Sequence, residues 1–347
     1  MAYTTIDDPS AHFQIALYTG DGNSTQAITN DGNSDLQPDW IWTKQRSHAV
    51  GHNLTDSSRG ASKSLFSEST AVEDTGGNIS SFNSDGFTTT DANRTNQSGR
   101  TFVAWQWKAN GGTTSSNTDG DITSTVQANT TAGFSIVTYT GNGTDGASVG
   151  HGLSGAYDVI IVKNRGQTDY WTVDRDASSG TSNALLLHDP SQESGHGTIH
   201  FRGSNGVFSS HSNGDLGMGN GNGETYVAYV FKQIKGYSRF GSYTGNGSSD
   251  GTFIFTGFSP AWVLTKSSTH SEAWMLSDNK RPGYNSTNQI IEPNDSAAEG
   301  ASTTIDHLSN GFKFRHENCN VNGQTYFYMA FAHNPFTSSK GVPTTAR

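Results

Sequence analysis

The sequence predicts an all-β protein made of three tandem, sequence-related β-sandwich repeats of about 100 residues each, jelly-roll-like in architecture. Three observations lead to this fold class. Four landmarks recur three times in the same order, short apolar runs alternate with turn residues, and no helical pattern follows the repeated glycine-rich phrase. A single large barrel is the alternative architecture, and a propeller would need a period of about 40 residues, which is absent from the sequence.

The first landmark is the phrase "YTGDGN", "YTGNGT" or "YTGNGS", which begins at Tyr18, Tyr139 and Tyr243. A glycine-rich phrase can cradle a phosphate or form a hairpin turn. A phosphate cradle requires a strand, a loop and then a helix, and nothing helical follows any of the three copies. We therefore predict that the phrase is a structural turn.

The second and third landmarks are charged. Three apolar runs, "PDWIWTK", "YDVIIVK" and "PAWVLTK", end at Lys44, Lys163 and Lys266. The segments that follow end at Asp56, Asp174 and Asp278. The two residue types could form a catalytic or ligand-binding pair, or a structural ion pair that a hairpin brings together and that anchors the register. Presence in all three copies favours the structural role.

The fourth landmark is a turn, "NSDGF", "SNGVF" or "SNGF", followed by an aromatic strand, "RTFVAWQWKA", "ETYVAYVFKQ" or "QTYFYMAFAH". Such Asn-Gly and Asp-Gly turns are typical of hairpins. The predicted repeats are 1–109, 133–235 and 236–335. A linker rich in Gly, Ser, Thr and Asn, 110–132, separates the first two, and 336–347 is a C-terminal tail.

Three aromatic residues are candidates for ligand binding. Trp171 and Trp274 hold matching positions in the second and third repeats, where the first repeat has His52, and Tyr170 adjoins Trp171. Exposed rings could form a platform for sugar rings. The alternative is that the two tryptophans pack inside a core.

Composition bounds the class of function. The formal net charge is −10 and no run of Lys or Arg is present, which argues against nucleic-acid binding. No apolar run approaches the ~18 residues of a membrane span, and the N-terminus lacks the basic and apolar regions of a signal peptide. Cys319 is the only cysteine, which excludes a disulfide within the chain.

No convincing catalytic pattern emerges, so we expect no enzyme activity, no cofactor and no metal centre. "GSSDG" (247–251) matches a nucleophile elbow but lies inside a turn, and His196 and His200 lack an evident third metal ligand. A depolymerase with paired carboxylates, as in glycosidases, is a further alternative that spacing alone leaves open, but the acidic residues Glu193, Glu224, Glu272 and Glu299 do not recur among the copies. A structural Ca²⁺ in the Asp/Asn/Gly turns remains an open alternative.

Several phrases carry a resemblance to a known family. "MAYTTIDDPSAHFQIALYTGDGN", "LQPDWIWTKQR", "FVAWQWKANGG" and "VGHGLSGAYDVIIVKNR" resemble repeat-containing virion proteins of marine phages that infect cyanobacteria and Pelagibacter-like hosts. Members are usually labelled tail fibre or structural protein. The resemblance covers nearly the whole chain. His52 in the first repeat and Tyr157 in the second, where the others have Pro, depart from the common pattern.

The resemblance implies a bacteriophage virion protein, assembled in the bacterial cytoplasm and extracellular in the mature particle. We expect a tail fibre or appendage subunit that contacts the host cell surface without catalysis. The alternative is a capsid decoration or other structural virion protein without a receptor role. Expected partners are other tail or capsid proteins, a host surface glycan or protein, and further copies of the chain in a homotrimer.

Overall fold

The regular secondary structure consists of strands and one short 3-10 helix. The computed structural model describes residues 3–90, 92–175, 184–193, 200–211, 218–282, 285–301 and 305–344. Within them, strands β1 to β24 pair antiparallel in six sheets, and Pro9–Ala11 forms the 3-10 helix. The prediction of an all-β fold is confirmed. Below, residues 1–109, 133–235 and 236–335 are called the first, second and third segments.

The first segment contains two sheets. Its strands are β1 (Phe13–Thr19), β2 (Thr25–Ile28), β3 (Trp40–Gln45), β4 (Asn53–Asp56), β5 (Ile79–Asn83), β6 (Gly86–Thr90) and β7 (Thr101–Trp107). A four-stranded sheet has the order β1-β7-β3-β4, and a three-stranded sheet has the order β2-β6-β5. The first and last strands of the segment therefore pair with each other. The glycine-rich phrase at the end of the first strand consequently lies beside the aromatic last strand.

The second segment is enlarged by two strands that precede it. The strands are β8 (Ser115–Asn117), β9 (Ser124–Asn129), β10 (Phe134–Thr140), β11 (Ser148–Gly150), β12 (Val159–Asn164), β13 (Trp171–Asp174), β14 (Leu185–Leu186), β15 (His200–Ser204), β16 (Val207–His211) and β17 (Thr225–Phe231). They form a seven-stranded sheet, β14-β13-β12-β17-β10-β9-β8, and a three-stranded sheet, β11-β16-β15.

The range 110–132, predicted to be a linker, thus contains β8 and β9. Strand β9 pairs antiparallel with β10, and Val126 packs in the core between the two sheets of the second segment. Burying an apolar side chain in a core has a more favourable free energy than leaving it exposed to water in a linker. The composition of 110–132 is that of a linker, but its structure extends a sheet.

The third segment has the same strand order as the first. Its strands are β18 (Ser238–Thr244), β19 (Phe253–Phe255), β20 (Phe258–Ser267), β21 (Met275–Asp278), β22 (Ile305–Leu308), β23 (Gly311–Phe314) and β24 (Thr325–Pro335). The four-stranded sheet is β18-β24-β20-β21 and the three-stranded sheet is β19-β23-β22. The central strands of the second segment, β10-β17-β12-β13, follow this order too.

Both faces of the larger sheets are buried, which explains the continuous apolar runs. In β12, Ile160 and Val162 face the core shared with the three-stranded sheet of the same segment. Val159 and Ile161 face the opposite way, into a second core that includes residues of all three segments. A strand buried on both faces cannot show the apolar and polar alternation of a half-buried strand. The packing of the sheets is β-sandwich-like.

Aromatic rings join the three segments at this second core. The ring centroids that lie across segment boundaries are 4.2 Å apart for Trp40 and Tyr229, 5.5 Å for Trp107 and Trp262, and 5.9 Å for Phe231 and Phe331. The three pairs connect the first segment to the second, the first to the third, and the second to the third. Each larger sheet therefore buries one face against the other two segments.

Candidate functional site

The tyrosine of each glycine-rich phrase is held by its neighbours. Tyr18, Tyr139 and Tyr243 stack on the aromatic residue paired with them across the strands, Phe102, Tyr226 and Tyr326, each at a centroid distance of 5.1 Å. The three tyrosine hydroxyls donate to the backbone carbonyls of Thr95, Gly219 and Cys319, at 2.8, 2.7 and 2.6 Å. The geometry agrees with the prediction of a structural turn.

An asparagine that the sequence analysis missed locks each of these turns. Asn96, Asn220 and Asn320 accept from the backbone N–H of Asp21, Asn142 and Asn246, and donate to the carbonyls of Asn23, Thr144 and Ser248. These asparagines begin "NQSGRT", "NGNGET" and "NVNGQT". An asparagine five residues before the threonine of the aromatic strand was the available signal.

The three recurring lysines are buried. Lys44, Lys163 and Lys266 each donate from Nζ to the carbonyl of the following residue, at 2.8, 2.6 and 2.8 Å. Burial lowers the pKa of each lysine to about 8. Because none of the three side chains reaches solvent, they contribute to the interior and not to a surface site.

These lysines predict that the free energy of unfolding depends on pH in the alkaline range. A buried lysine with a folded-state pKa near 8 releases its proton before the unfolded chain does, so the free energy of unfolding should rise from about pH 8 to about pH 10. Each lysine adds at most about 3 kcal/mol. Urea unfolding across this pH range measures the rise. Lys163→Met should remove about a third of it, and an unchanged slope in that variant would contradict the assignment.

The recurring aspartates do not pair with the lysines. In the antiparallel register, Asp56, Asp174 and Asp278 lie opposite Trp40, Ile160 and Trp262. In a hairpin the end of the first strand is at the turn, whereas the end of the second strand is at the open end. The expected proximity of Lys and Asp is therefore wrong, although both residue types are internal as the structural role requires.

Each of two aspartates binds a buried arginine and a side chain of another segment. Asp278 lies 2.6 Å from Arg281 Nε and accepts a hydrogen bond of 3.0 Å from Trp105 Nε1 of the first segment. Asp56 lies 2.5 Å from Arg59 Nε and accepts one of 2.8 Å from the hydroxyl of Tyr229 in the second segment. Trp105 and Tyr229 hold corresponding positions on β7 and β17, two residues before the last aromatic residue of the strand.

Asp174 has a different partner, since its carboxylate accepts from the backbone N–H of Phe201 at 3.2 Å.

The pKa of Asp278 lies below its ordinary value. Burial raises this pKa, but Arg281 and the hydrogen bond from Trp105 together lower it by more. Asp278 is therefore a charged group whose partners come from two segments.

A glutamate adds to each of these junctions. Between the first and third segments, Glu299 pairs with Arg46 at 2.9 Å and with Arg281 at 3.0 Å, and its N–H donates to the carbonyl of Arg46. Between the first and second segments, Glu73 pairs with Arg165 and Arg59, both at 2.9 Å. Its N–H likewise donates to the carbonyl of Arg165.

The junction between the second and third segments keeps the backbone part of this pattern. The N–H of Glu193 donates to the carbonyl of Ser268 at 3.0 Å, and the Glu193 carboxylate pairs with Arg175. Glu73, Glu193 and Glu299 thus occupy corresponding places. This corrects the statement that no acidic residue such as Glu193 or Glu299 recurs, because unequal spacing from the preceding aspartate hid the match.

The residues at the matching Trp/His position bridge the same junctions. Trp171 Nε1 donates to the carbonyl of Phe66 at 2.8 Å, and Trp274 Nε1 donates to the carbonyl of Leu186 at 2.7 Å. His52 Nδ1 accepts from Trp42, so its Nε2–H donates to the carbonyl of Glu292 at 3.0 Å. The second segment therefore contacts the first, the third contacts the second, and the first contacts the third.

Of the three predicted ligand-binding residues, only one reaches the surface. Trp171 and Trp274 are fully buried, and Tyr170 is 42% exposed with its ring stacked on His188 at 5.1 Å. The tryptophans fit the alternative that they pack in a core, and they do not form a platform with Tyr170. A buried indole N–H usually has a hydrogen-bond partner. In both tryptophans this partner is a backbone carbonyl of another segment.

A cleft of about 840 Å³ opens between the first and third segments. Its apolar lining consists of Phe13, Ile15, Ala261, Leu308 and Ala332. Its polar lining includes Asp8, Asp31, Asn33, Ser259, Asn279, Lys280, Asn285, Ser309, His333 and Asn334. Lys280 Nζ spans the two segments, because it donates to the carbonyl of Ile15 at 2.8 Å and pairs with Asp31.

His307 also lines the cleft, and both of its ring nitrogens are engaged. Nδ1 donates to the carbonyl of Pro260 at 3.2 Å, and Nε2 accepts from Ser277 Oγ at 3.0 Å. Burial lowers the pKa of His307 to about 4. At neutral pH this histidine is uncharged and serves to hold the wall of the cleft.

The described part of the chain contains no group of three His, Cys, Asp or Glu side chains arranged to hold a metal ion. His196 and the side chain of His200 lie outside the described residues. Among the residues that the structure covers, no helix has the length and apolar character of a membrane span. Cys319 is buried with a free thiol.

Comparison with known proteins gives one match. The searches of the curated proteins and of the solved structures found none. The model of the family described as Domain of unknown function (DUF7483) matches residues 8–335, a range that includes all three segments and the strands between the first two. Because this range covers nearly the whole chain, the protein belongs to the DUF7483 family.

Proposed function

We propose that the chain consists of three tandem β-sandwich repeats, jelly-roll-like and related in sequence, that close into a ring. The repeats are the first, second and third segments. Three features support this: the common strand order of the larger sheets, the asparagine-locked turn in each segment, and the junction contacts that run from second to first, third to second and first to third.

We propose further that this ring is a bacteriophage virion structural protein, a tail fibre or appendage subunit that contacts the host cell surface without catalysis. The observation that carries the proposal is the use of the recurring charged residues. The lysines, aspartates and glutamates common to the segments make internal bonds, which builds a rigid body. Residues that the segments do not share then remain for recognition at the surface, as in other loop-bearing scaffolds.

The polar, uncharged composition and the resemblance of the sequence to marine phage virion proteins support the same proposal. The protein would assemble in the bacterial cytoplasm and be extracellular in the mature particle. Its partners would be other tail or capsid proteins and a host surface glycan or protein. The homotrimer stays a prediction, which sedimentation velocity tests by comparing the particle mass with the chain mass of 37.0 kDa.

Electron microscopy of intact virions tests the proposal. Gold-labelled antibodies against the purified chain should mark the tail or its fibres, and excess purified protein should abolish the label. Label scattered over the head would contradict the receptor role and identify a capsid decoration protein. Absence of label from intact and from disrupted virions would contradict a virion location altogether.

A further inference from the structure

We infer that the cleft between the first and third segments binds a neutral saccharide. The cleft volume of about 840 Å³ lies in the range of small-molecule sites, and such sites form preferentially where two packed units meet. Since its walls come from both segments and Lys280 ties them together, the cleft exists only when the ring is closed. The inference rests on the proposed function only for the origin of the saccharide, a host glycan.

The polar lining offers uncommitted hydrogen-bonding groups. Five side chains make no hydrogen bond to any part of the chain that the structure describes: Asn33, Ser259, Asn279, Ser309 and Asn334. A carboxamide both donates and accepts, as does a hydroxyl. Sugar hydroxyls have the same dual character, so adjacent hydroxyls of one ring can bond to one amide through both of its polar atoms.

The apolar lining gives the other half of a sugar site. Phe13, Ile15 and Ala332 are buried beneath the cleft, and Leu308 is partly exposed in it. A pyranose ring has C–H faces that are apolar and an equator of hydroxyls that is polar. An apolar floor with a few convergent polar groups around it matches both surfaces of such a ring.

The charges around the cleft favour a ligand without net charge. The Lys280 ammonium pairs with Asp31, and the carboxylate of Asp8 accepts from the hydroxyls of Ser10 and Ser34. His307 is neutral at physiological pH because burial lowers its pKa to about 4. An anion would enter without a free countercharge, which makes its desolvation costly. A cation would find only the Asp8 carboxylate, whose oxygens already accept hydrogen bonds from Ser10 and Ser34.

Saturation-transfer NMR tests the inference with glucose, galactose, mannose and N-acetylglucosamine as neutral probes, and with inorganic phosphate, sialic acid and spermidine as charged ones. At least one neutral sugar should receive saturation from the intact protein. Asn279→Ala combined with Asn334→Ala should weaken the affinity for that sugar, measured by titrating the saturation signal, about tenfold or more, since two hydrogen bonds are lost. Asn222→Ala, an exposed asparagine elsewhere, should leave it unchanged.

Two results would overturn the inference: no saturation of any neutral sugar, or equal saturation in the double variant and in wild-type protein. Preferential binding of a charged probe would do the same. Asn33→Ala, in an exposed loop, gives a second variant should the double variant not fold. Virion labelling does not depend on the cleft, so failure of sugar binding and failure of the virion proposal are distinguishable.

Discussion

Replacement of Asp278 by alanine should lower the free energy of unfolding by about 3–5 kcal/mol, because it leaves a buried arginine without its closest countercharge. The Arg281 side chain is fully buried, and its Nε lies 2.6 Å from the Asp278 carboxylate. The substitution also removes the acceptor of Trp105 Nε1, which belongs to another segment. The remaining partner of Arg281, Glu299, already shares its charge with Arg46.

Urea unfolding measures this loss, and Asp250→Ala is the matched control. Asp250 pairs with Lys313 and Arg315, but its side chain is 74% exposed, so its loss should lower the free energy of unfolding far less than the loss of Asp278. Asp56→Ala, at the corresponding junction, should behave like Asp278→Ala. Equal small losses for Asp278 and Asp250 would mean that the buried junction contributes little.

Much of each segment could be predicted from the sequence because its signals are local. The glycine-rich phrases at Tyr18, Tyr139 and Tyr243 predict structural turns, and each one joins a strand of a larger sheet to a strand of a three-stranded sheet. Both signals, the two-residue apolar period of a strand and the glycine of a turn, involve only residues that are close together in the sequence. The all-β class and the larger strands follow from such patterns alone.

The contacts between segments could not be predicted in the same way. Arg46 pairs with Glu299, and Tyr229 donates to Asp56, although the partners are far apart in the sequence. No local periodicity indicates such contacts. Glu73 and Glu299 hold equivalent positions in the structure. The loops before them differ in length, so an alignment of the sequence landmarks does not bring these two residues together. The antiparallel hairpin also separates lysine from aspartate, a geometric consequence that sequence spacing conceals.

The three junctions differ because the third segment has other residues at two of the junction positions. Where the first and second segments present Arg46 and Arg165, the third presents Ser268, and Met329 stands on β24 where β7 has Trp105 and β17 has Tyr229. Neither Ser268 nor Met329 can supply the charge or the polar hydrogen of its counterpart. The junction of the third segment with the second therefore depends more on Trp274 than the others depend on their bridging residue.

Trp274→Ala should accordingly lower the free energy of unfolding by about 3–5 kcal/mol, the usual cost of removing a fully buried aromatic ring. The ring packs edge-on against Phe327, with centroids 6.4 Å apart, and its N–H bonds to the carbonyl of Leu186 in the neighbouring segment. Differential scanning calorimetry and urea unfolding both measure the loss. Reduced adhesion by such a variant would then report instability and not a lost sugar platform.

Tyr170→Ala separates the two explanations, since Tyr170 is 42% exposed and its removal should change the free energy of unfolding by no more than about 1 kcal/mol. Trp274→Phe keeps most of the ring and loses only the hydrogen bond to Leu186, for which we expect about 1–2 kcal/mol. If Trp274→Ala retained wild-type stability, the junction would not rest on this ring. The position would then have to be reconsidered as a surface that partners use, because only an accessible ring can be removed at so little cost.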